Sequence, residues 1–210
     1  LRISRESVFT GFNNFNVYTV KDVQYKEYFG FTDKEVRKML EYYGFMEKYD
    51  TIKEWYDGYR FGELEVYCPW DVVSYCHALK MDRFVTPQNY WVNTSSNGII
   101  RKFINQADGV TRDEIERLIN GESIGKKIRQ ELTYRDLDSR IDHLWSILFT
   151  TGYLTQCGQD EDGMTQLMIP NKEIRWIFEE QVREWFETET RKDKQKLEDF
   201  CRAFEENDAQ

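Results

Sequence analysis

Apolar residues recur every three or four positions along much of the chain, which is the spacing of one face of an α-helix. Thr32 and Glu35 form the pattern of a capping box at the start of one run, and Gly44 ends that run. Thr111 and Glu114 form the same pattern further on. The spacing predicts helices over residues 32–43, 47–56, 70–79, 97–106, 111–120, 138–151 and 171–186, and an amphipathic run over 200–210.

Short extended runs separate these helices and predict β-hairpins. Residues 59–61 and 64–67 flank the two-residue turn Gly62–Glu63, while 153–157 and 164–169 flank an acidic turn. Two further extended runs are predicted at 15–20 and 89–93. The fold class predicted from these patterns is mainly α with small β-hairpins, an α+β fold. Helix, two-stranded wing and helix near the C-terminus are the outline of a winged-helix-like subdomain.

Composition and charge exclude some classes of protein. Hydrophobic residues make up 40% of the chain and aromatic residues 16%, which is enough to form real cores. A net charge of −9 argues against a large non-specific nucleic-acid surface, because such surfaces need clustered Lys and Arg. No run reaches the roughly 20 apolar residues that a membrane span requires. The four cysteines have no paired spacing, so reduced thiols and a cytoplasmic location are expected.

The ends of the chain suggest a piece of a larger protein. Leu1–Ile3 has the pattern of the end of an apolar strand, and the helical pattern near Gln210 has no stop signal. We therefore expect further sequence on both sides.

Motifs for a complete catalytic site are missing from the sequence. It contains no G-x-x-x-x-G-K-[ST], G-x-S-x-G or H-E-x-x-H motif. Its two histidines, His77 and His143, have no Cys or Ser partner at a spacing typical of a catalytic or metal site. The acidic stretch 160–162 fits a solvated turn better than a set of metal ligands, so no metal site is predicted. The chain is not expected to be an enzyme by itself.

Three clusters stand out from this background. A polar loop with Arg2 and Arg5 follows the first apolar strand, where ligands of open α/β sheets are found, although a plain surface loop is an equal alternative. Aromatic residues crowd the turns of residues 55–70, and a third cluster covers 90–97. For these two, core packing and helix capping are the favoured interpretation.

These clusters, together with other blocks in the same order, resemble the bacterial AAA-ATPase-like proteins that are often fused to a PD-(D/E)xK nuclease-like domain. The likeness extends over essentially the whole chain. The blocks are RISRESVFTGFNN, YFGFTDKEV, EWYDGYRFG, VYCPWDVVSY, YWVNTSSN, LTYRDLD, LWSILFTTGYLT and IPNKEIRWIF.

The resemblance implies a STAND-type signalling ATPase. Its P-loop core, with the Walker A and Walker B elements, would precede Leu1, and the nuclease-like domain would follow Gln210. Residues 1–30 would be the edge of the ATPase core, 31–137 a helical lid subdomain with a β-hairpin, and 138–210 a winged-helix-like subdomain with a C-terminal linker helix. The chain would relay the nucleotide state to the nuclease-like effector.

The resemblance also assigns residues. The loop after the sensor strand would approach the γ-phosphate, which makes Arg2 and Arg5 the sensor candidates. The nucleotide-proximal candidates are Ser4, Asn13, Asn14, Gly58 and Pro69. ATP and Mg²⁺ are expected in the full-length protein, and no cofactor is expected on this part alone.

Two other functions remain open at this stage. A winged-helix nucleic-acid module would use helix 171–186 for recognition, with cations that alternate with glutamates. An interaction scaffold would use the aromatic clusters as a groove. Nucleic acid is a possible partner of the parent protein, and no membrane partner is predicted. The cations available on and after the helix are Lys172, Arg175, Arg183, Arg191, Lys192, Lys194 and Lys196.

Overall fold

The computed structural model describes residues 3–4, 28–91, 98–128, 132–133 and 141–207. These residues are mainly helical with short strands, so the predicted mainly α, α+β fold class is confirmed. Two hydrophobic cores divide most of them into an N-terminal lobe, residues 31–90, and a C-terminal lobe, residues 98–207. Trp91 follows the first lobe and packs against the core of the second.

The N-terminal lobe begins with helix α1, Asp33–Tyr43, whose two ends follow the sequence prediction. The Thr32 side chain accepts a hydrogen bond from the Glu35 N–H, and the Glu35 carboxylate accepts one from the Thr32 N–H at 2.8 Å. The predicted capping box is therefore confirmed. Gly44 ends the helix with a φ of 69°, a left-handed conformation that glycine adopts without strain.

A 3-10 turn, Met46–Lys48, leads into helix α2, Tyr49–Tyr56. The predicted hairpin follows as β2, Tyr59–Phe61, and β3, Leu64–Val66, which pair in antiparallel register. Glycine in the two-residue turn matches the turn type whose twist suits a hairpin.

Helix α3, Pro69–Met81, starts directly after the hairpin with its proline at the first helical position. A proline is favoured there because the missing N–H would have no helical partner. Leu40 of α1, Ile52 of α2 and Leu79 of α3 are fully buried and form the centre of the N-terminal core.

Helices α4, Gly98–Gln106, and α5, Gly109–Ile119, open the C-terminal lobe. The predicted cap of α5 at Thr111 is wrong. Asp108 is the N-cap, and its carboxylate accepts a hydrogen bond from the Thr111 N–H at 2.8 Å. A carboxylate caps well and also complements the positive end of the helix dipole, so it displaces the hydroxyl of Thr111 from this role.

Helix α6, Ile141–Thr151, precedes a three-stranded antiparallel sheet. Its hairpin of β6, Thr155–Gln159, and β7, Thr165–Met168, was predicted. The third strand, β4, Ile124–Lys126, pairs with the other edge of β7 and was not predicted, because no turn signal links it to a neighbouring extended run. A separate parallel pair joins β1, Ile3–Ser4, to β5, Leu132–Thr133.

The last helix, α7, runs from Lys172 to Asn207 and is 36 residues long. The prediction that it ends at Phe186 is wrong, because no glycine or proline interrupts the following residues. Ion pairs one turn apart, such as Arg191 to Glu187 at 3.8 Å, support this part of the helix. The order α6, β6, β7, α7 is the predicted order of elements, and the winged-helix assignment itself stays a prediction.

The C-terminal core is built mainly from α4, α6 and the first half of α7. Trp145 of α6 lies at its centre and meets the ring of Phe103 edge-on, with 4.5 Å between ring centroids. Leu167 of the sheet and Ile177 of α7 close it from two sides. Among the described residues, no helix combines the length and the apolar character needed to span a membrane.

Candidate functional site

Segments far apart in sequence meet where the two lobes touch. Residues 57–58, 68–71 and 89–91 surround residues 170–173, which include the start of α7. We call these four segments the junction. Two of the aromatic-rich sequence clusters therefore contribute to one buried contact.

Gly58 allows the closest approach of the two backbones. It has a φ of 93°, and a Cβ at this position would lie 2.0 Å from the carbonyl oxygen of Pro170. No heavy atoms approach that closely without a bond, so every other residue would force the segments apart. This contact, rather than conformational freedom alone, accounts for glycine at this position.

Asn171 joins the lobes with one amide side chain. Its Oδ1 accepts a hydrogen bond from the Ile174 N–H at 3.0 Å, which confirms the predicted cap of α7. Its Nδ2 donates to the carbonyl oxygen of Asp57 at 3.0 Å. The cap of the long helix is thus also a bond to the other lobe.

Glu173 inserts a carboxyl group into the N-terminal lobe. Its Oε1 accepts hydrogen bonds from the backbone N–H groups of Tyr90, at 2.6 Å, and Trp91, at 2.9 Å. This explains why the predicted strand over 89–93 is not formed in its described part, residues 89–91. Two of its N–H groups bind a side chain rather than a neighbouring strand.

Asp71, in the first turn of α3, faces Glu173. Both residues have no exposed surface. Both oxygens of Asp71 and Oε2 of Glu173 are buried, and within the described residues no N–H or hydroxyl group donates to them. The two carboxyls nevertheless lie within hydrogen-bonding reach of each other, a bond that needs a proton on one of them.

The pKa values of the two carboxyls follow from this arrangement. Burial first, and then the charge of Asp71, raises the pKa of Glu173 to about 8. Burial also raises the pKa of Asp71, while hydrogen bonds with Cys68 and Glu173 lower it in part. Because the bond between them favours protonated Glu173 and ionised Asp71, the pair holds a proton at neutral pH.

Neutral groups surround the pair. Burial raises the pKa of the Tyr56, Tyr59 and Tyr90 hydroxyls and of the Cys68 thiol, so all four are uncharged at neutral pH. The junction is therefore a low-dielectric site, in which charge interactions are stronger than at the surface.

An apolar pocket of about 240 Å³ lies beside the junction, between the β2–β3 hairpin and the end of α6. Pro69 lines it at the start of α3. The rings of Tyr59 and Trp91 stack at 6.4 Å between centroids on one side, and those of Phe29 and Phe61 stack at 5.7 Å on another. Flat apolar walls of this kind suit a planar aromatic group.

The structure brings together only some of the predicted site residues. Gly58 lies in the junction, and Pro69 lies both in the junction and in the wall of the pocket. Ser4 lies in β1, opposite Thr133. The other four candidates, Arg2, Arg5, Asn13 and Asn14, lie outside the described residues.

Sequence reasoning missed the two acids of the junction. Asp71 and Glu173 look like ordinary first-turn carboxylates, which are favoured at helix N-termini whether or not they are buried. The available signal was an acid set among apolar and aromatic neighbours in the blocks VYCPWDVVSY and IPNKEIRWIF. That signal indicates burial without indicating a partner.

Several cations of α7 are already paired. Lys172 binds Glu54 at 3.0 Å, Lys192 binds Glu189 at 2.7 Å, and Arg183 binds Glu180. Phosphate binding would have to replace such pairs, and the winged-helix nucleic-acid module stays a prediction. An interaction scaffold would need exposed rings in the aromatic clusters. Tyr56 and Tyr67 are fully buried and cannot line such a groove, whereas Trp70 is 58% exposed.

No protein-family model matches the chain, and no curated protein or solved structure matches it. Within the part of the chain that the structure describes, no three His, Cys, Asp or Glu side chains form a group that could hold a metal ion.

Proposed function

We propose that this chain is the regulatory lid and relay of an AAA-ATPase-like protein, and that the junction transmits the nucleotide state to α7. The observation that carries the proposal is the insertion of the first turn of α7 into the N-terminal lobe through Asn171 and Glu173. A displacement of the N-terminal lobe would therefore move the start of α7.

The length of α7 makes this contact suitable for a relay. A helix of 36 residues rises about 1.5 Å per residue and is therefore about 50 Å long. A small rotation at its buried start produces a large displacement at its far end. An effector that follows α7 would receive that displacement, and the nuclease-like domain expected from the resemblance would occupy this place.

The pocket supports the nucleotide part of the proposal. It lies beside Pro69, and its aromatic walls suit a planar base, because base–aromatic stacking stabilises such contacts by about 1–3 kcal/mol per base. Phosphates and Mg²⁺ would be held by the upstream P-loop core, with Arg2 and Arg5 near the γ-phosphate. By itself the chain would bind ATP weakly or not at all.

The proposal is tested on a longer protein that contains the upstream core. Hydrogen exchange along α7 is measured with ATP and with ADP, in the wild type and in Gly58→Ala. We expect a nucleotide-dependent difference in the wild type and its loss in Gly58→Ala, at nucleotide concentrations that saturate both proteins. Gly62→Ala is the matched control, because Gly62 also has a positive φ but no contact within 4 Å.

Two results would contradict this function. If the longer protein binds no nucleotide, the chain is not an ATPase lid. If Gly58→Ala transmits the nucleotide state as well as the wild type does, the junction is not the relay. Arg2→Ala and Arg5→Ala test the sensor assignment separately, since they should alter hydrolysis or its coupling to α7.

A further inference from the structure

The Asp71–Glu173 pair places two carboxyl groups, one from each lobe, in a site without solvent contact. Two ionised carboxylates at hydrogen-bonding distance repel each other strongly in a low-dielectric environment. A single proton removes that repulsion and replaces it with a charge-assisted O–H···O bond. The interaction between the lobes thus changes sign with the gain or loss of one proton.

Among the described residues, the titratable groups that face the pair supply no positive charge that could replace this proton. The titratable groups that face the pair are neutral acids: Tyr56 of α2, Tyr59 of β2, Cys68 before α3 and Tyr90. Each of them can only add negative charge as the pH rises.

The basic side chains of the neighbouring segments are directed elsewhere. Lys53 approaches Asp57 at 4.0 Å, and Lys172 pairs with Glu54 at 3.0 Å. The guanidinium of Arg175 lies beside Gly121. Within the described residues, no cation is among the main causes of the pKa shifts of Asp71 and Glu173.

We propose that Asp71 and Glu173 form a single-proton latch, in which the shared proton holds the first turn of α7 in the N-terminal lobe and its loss releases that turn. The latch would regulate the relay proposed above, and its importance for signalling rests on that function. The opening itself needs no nucleotide. Its test therefore uses this chain alone, and a failure of either proposal can be told from a failure of the other.

The latch is tested by hydrogen exchange of the Tyr90 and Trp91 amides, which Glu173 holds directly. Protection factors, corrected for the intrinsic rate at each pH, are measured from about pH 6 to about pH 10. We expect protection at both amides to fall at least about 10-fold, with a midpoint near the Glu173 pKa of about 8. The amides of Phe31 and Tyr67, which pair with each other inside the N-terminal lobe, should keep their protection.

Glu173→Gln removes the titratable carboxyl group while keeping the size and shape of the side chain. The amide keeps an acceptor for the two backbone N–H groups and supplies a permanent donor to Asp71. Protection at Tyr90 and Trp91 should therefore remain high across the whole pH range. Glu179→Gln, on the exposed face of the same helix, removes a carboxylate without touching the pair and should behave like the wild type.

Three outcomes would overturn the latch. They are constant protection in the wild type over the whole range, a loss in Glu173→Gln equal to that in the wild type, and recovery of the wild type at high pH by about 5 mM Mg²⁺ or Ca²⁺. The last outcome would mean that a metal ion, rather than a proton, bridges the carboxylates.

A measurement on the wild type keeps the proposal testable if Glu173→Gln does not fold. The carboxyl ¹³C resonance of Glu173, assigned through the backbone, is followed as a function of pH. A midpoint near 8 supports the latch. A midpoint near the ordinary glutamate value of 4.5 would overturn it.

Discussion

A Cβ on Gly58 would lie 2.0 Å from the carbonyl oxygen of Pro170, so the two lobes are in backbone contact at this point. The contact involves no hydrophobic side chain. It depends on the absence of a side chain at Gly58, in a segment where α2 has just ended. It is also the basis of the first prediction.

Gly58→Ala should destabilise the contact between the lobes more than Gly62→Ala does. A left-handed backbone costs a non-glycine residue about 1–2 kcal/mol, and this applies to both positions. The clash with Pro170 adds about 1–3 kcal/mol at Gly58 alone. Urea unfolding of the two variants measures the difference, and equal losses would contradict the close approach.

Asn171→Ala should cost more than the loss of a helix cap. It removes the cap of α7 and also leaves the Asp57 carbonyl without its amide donor. Asp108→Ala is the comparison, because it removes the cap of α5 and no bond between the lobes. A cap contributes about 1 kcal/mol, and a buried group left unsatisfied adds about 1–3 kcal/mol. Equal free energies of unfolding for the two variants would show that the second bond of Asn171 is unimportant.

The stability of the chain should fall as the pH rises from mildly acidic to mildly basic. Folding raises the pKa of Glu173 from its ordinary value of 4.5 to about 8. A raised pKa gives stability that is fully present below the unfolded value and is lost as the pH rises through the folded value. Denaturation at a series of pH values should show this loss in the wild type and a smaller one in Glu173→Gln. A wild-type stability that is constant from about pH 5 to about pH 8 would contradict the burial of the pair.

Asp33 should make the stability of the chain depend on pH in the acidic range. Burial is the largest single effect and raises its pKa, but hydrogen bonds from Tyr49, Arg37 and Tyr67 together outweigh it and lower the pKa to about 2. Its contribution is present above the unfolded value of 3.8 and is lost as the pH falls through about 2. Acid denaturation of Asp33→Asn and the wild type, compared below about pH 4, should show a smaller loss in the variant.

Tyr67→Phe should cost more than Tyr75→Phe, although both hydroxyls belong to buried rings. The Tyr67 hydroxyl donates to the Asp33 carboxylate at 2.8 Å, whereas the Tyr75 hydroxyl donates to the neutral carbonyl of Val85 at 3.1 Å. Bonds to charged groups contribute about 1.5–3 kcal/mol and neutral ones about 0.5–1.5 kcal/mol. Thermal unfolding of both variants tests the order, and the reverse order would contradict the charged bond.

Local chemistry explains where the sequence predictions succeed. The capping box of Thr32 and Glu35, the Gly44 stop and the proline at the start of α3 act within a few residues, and the structure shows each of them. The cap of α5 was misplaced because Asp108 and Thr111 compete for the same helix end, and both patterns are valid locally. Strand β4 was missed because its pairing with β7, rather than its own sequence, makes it a strand.

Local patterns in the sequence predict most helices, the two hairpins and the amide that caps α7. The contact of Gly58 with Pro170, the second bond of Asn171 and the buried site of Asp71 and Glu173 appear only when the chain is folded. These two groups of features depend on interactions of different range. Helical spacing, capping and turn chemistry act between residues that are neighbours in the chain, whereas burial and its effect on ionisation depend on segments that folding brings together.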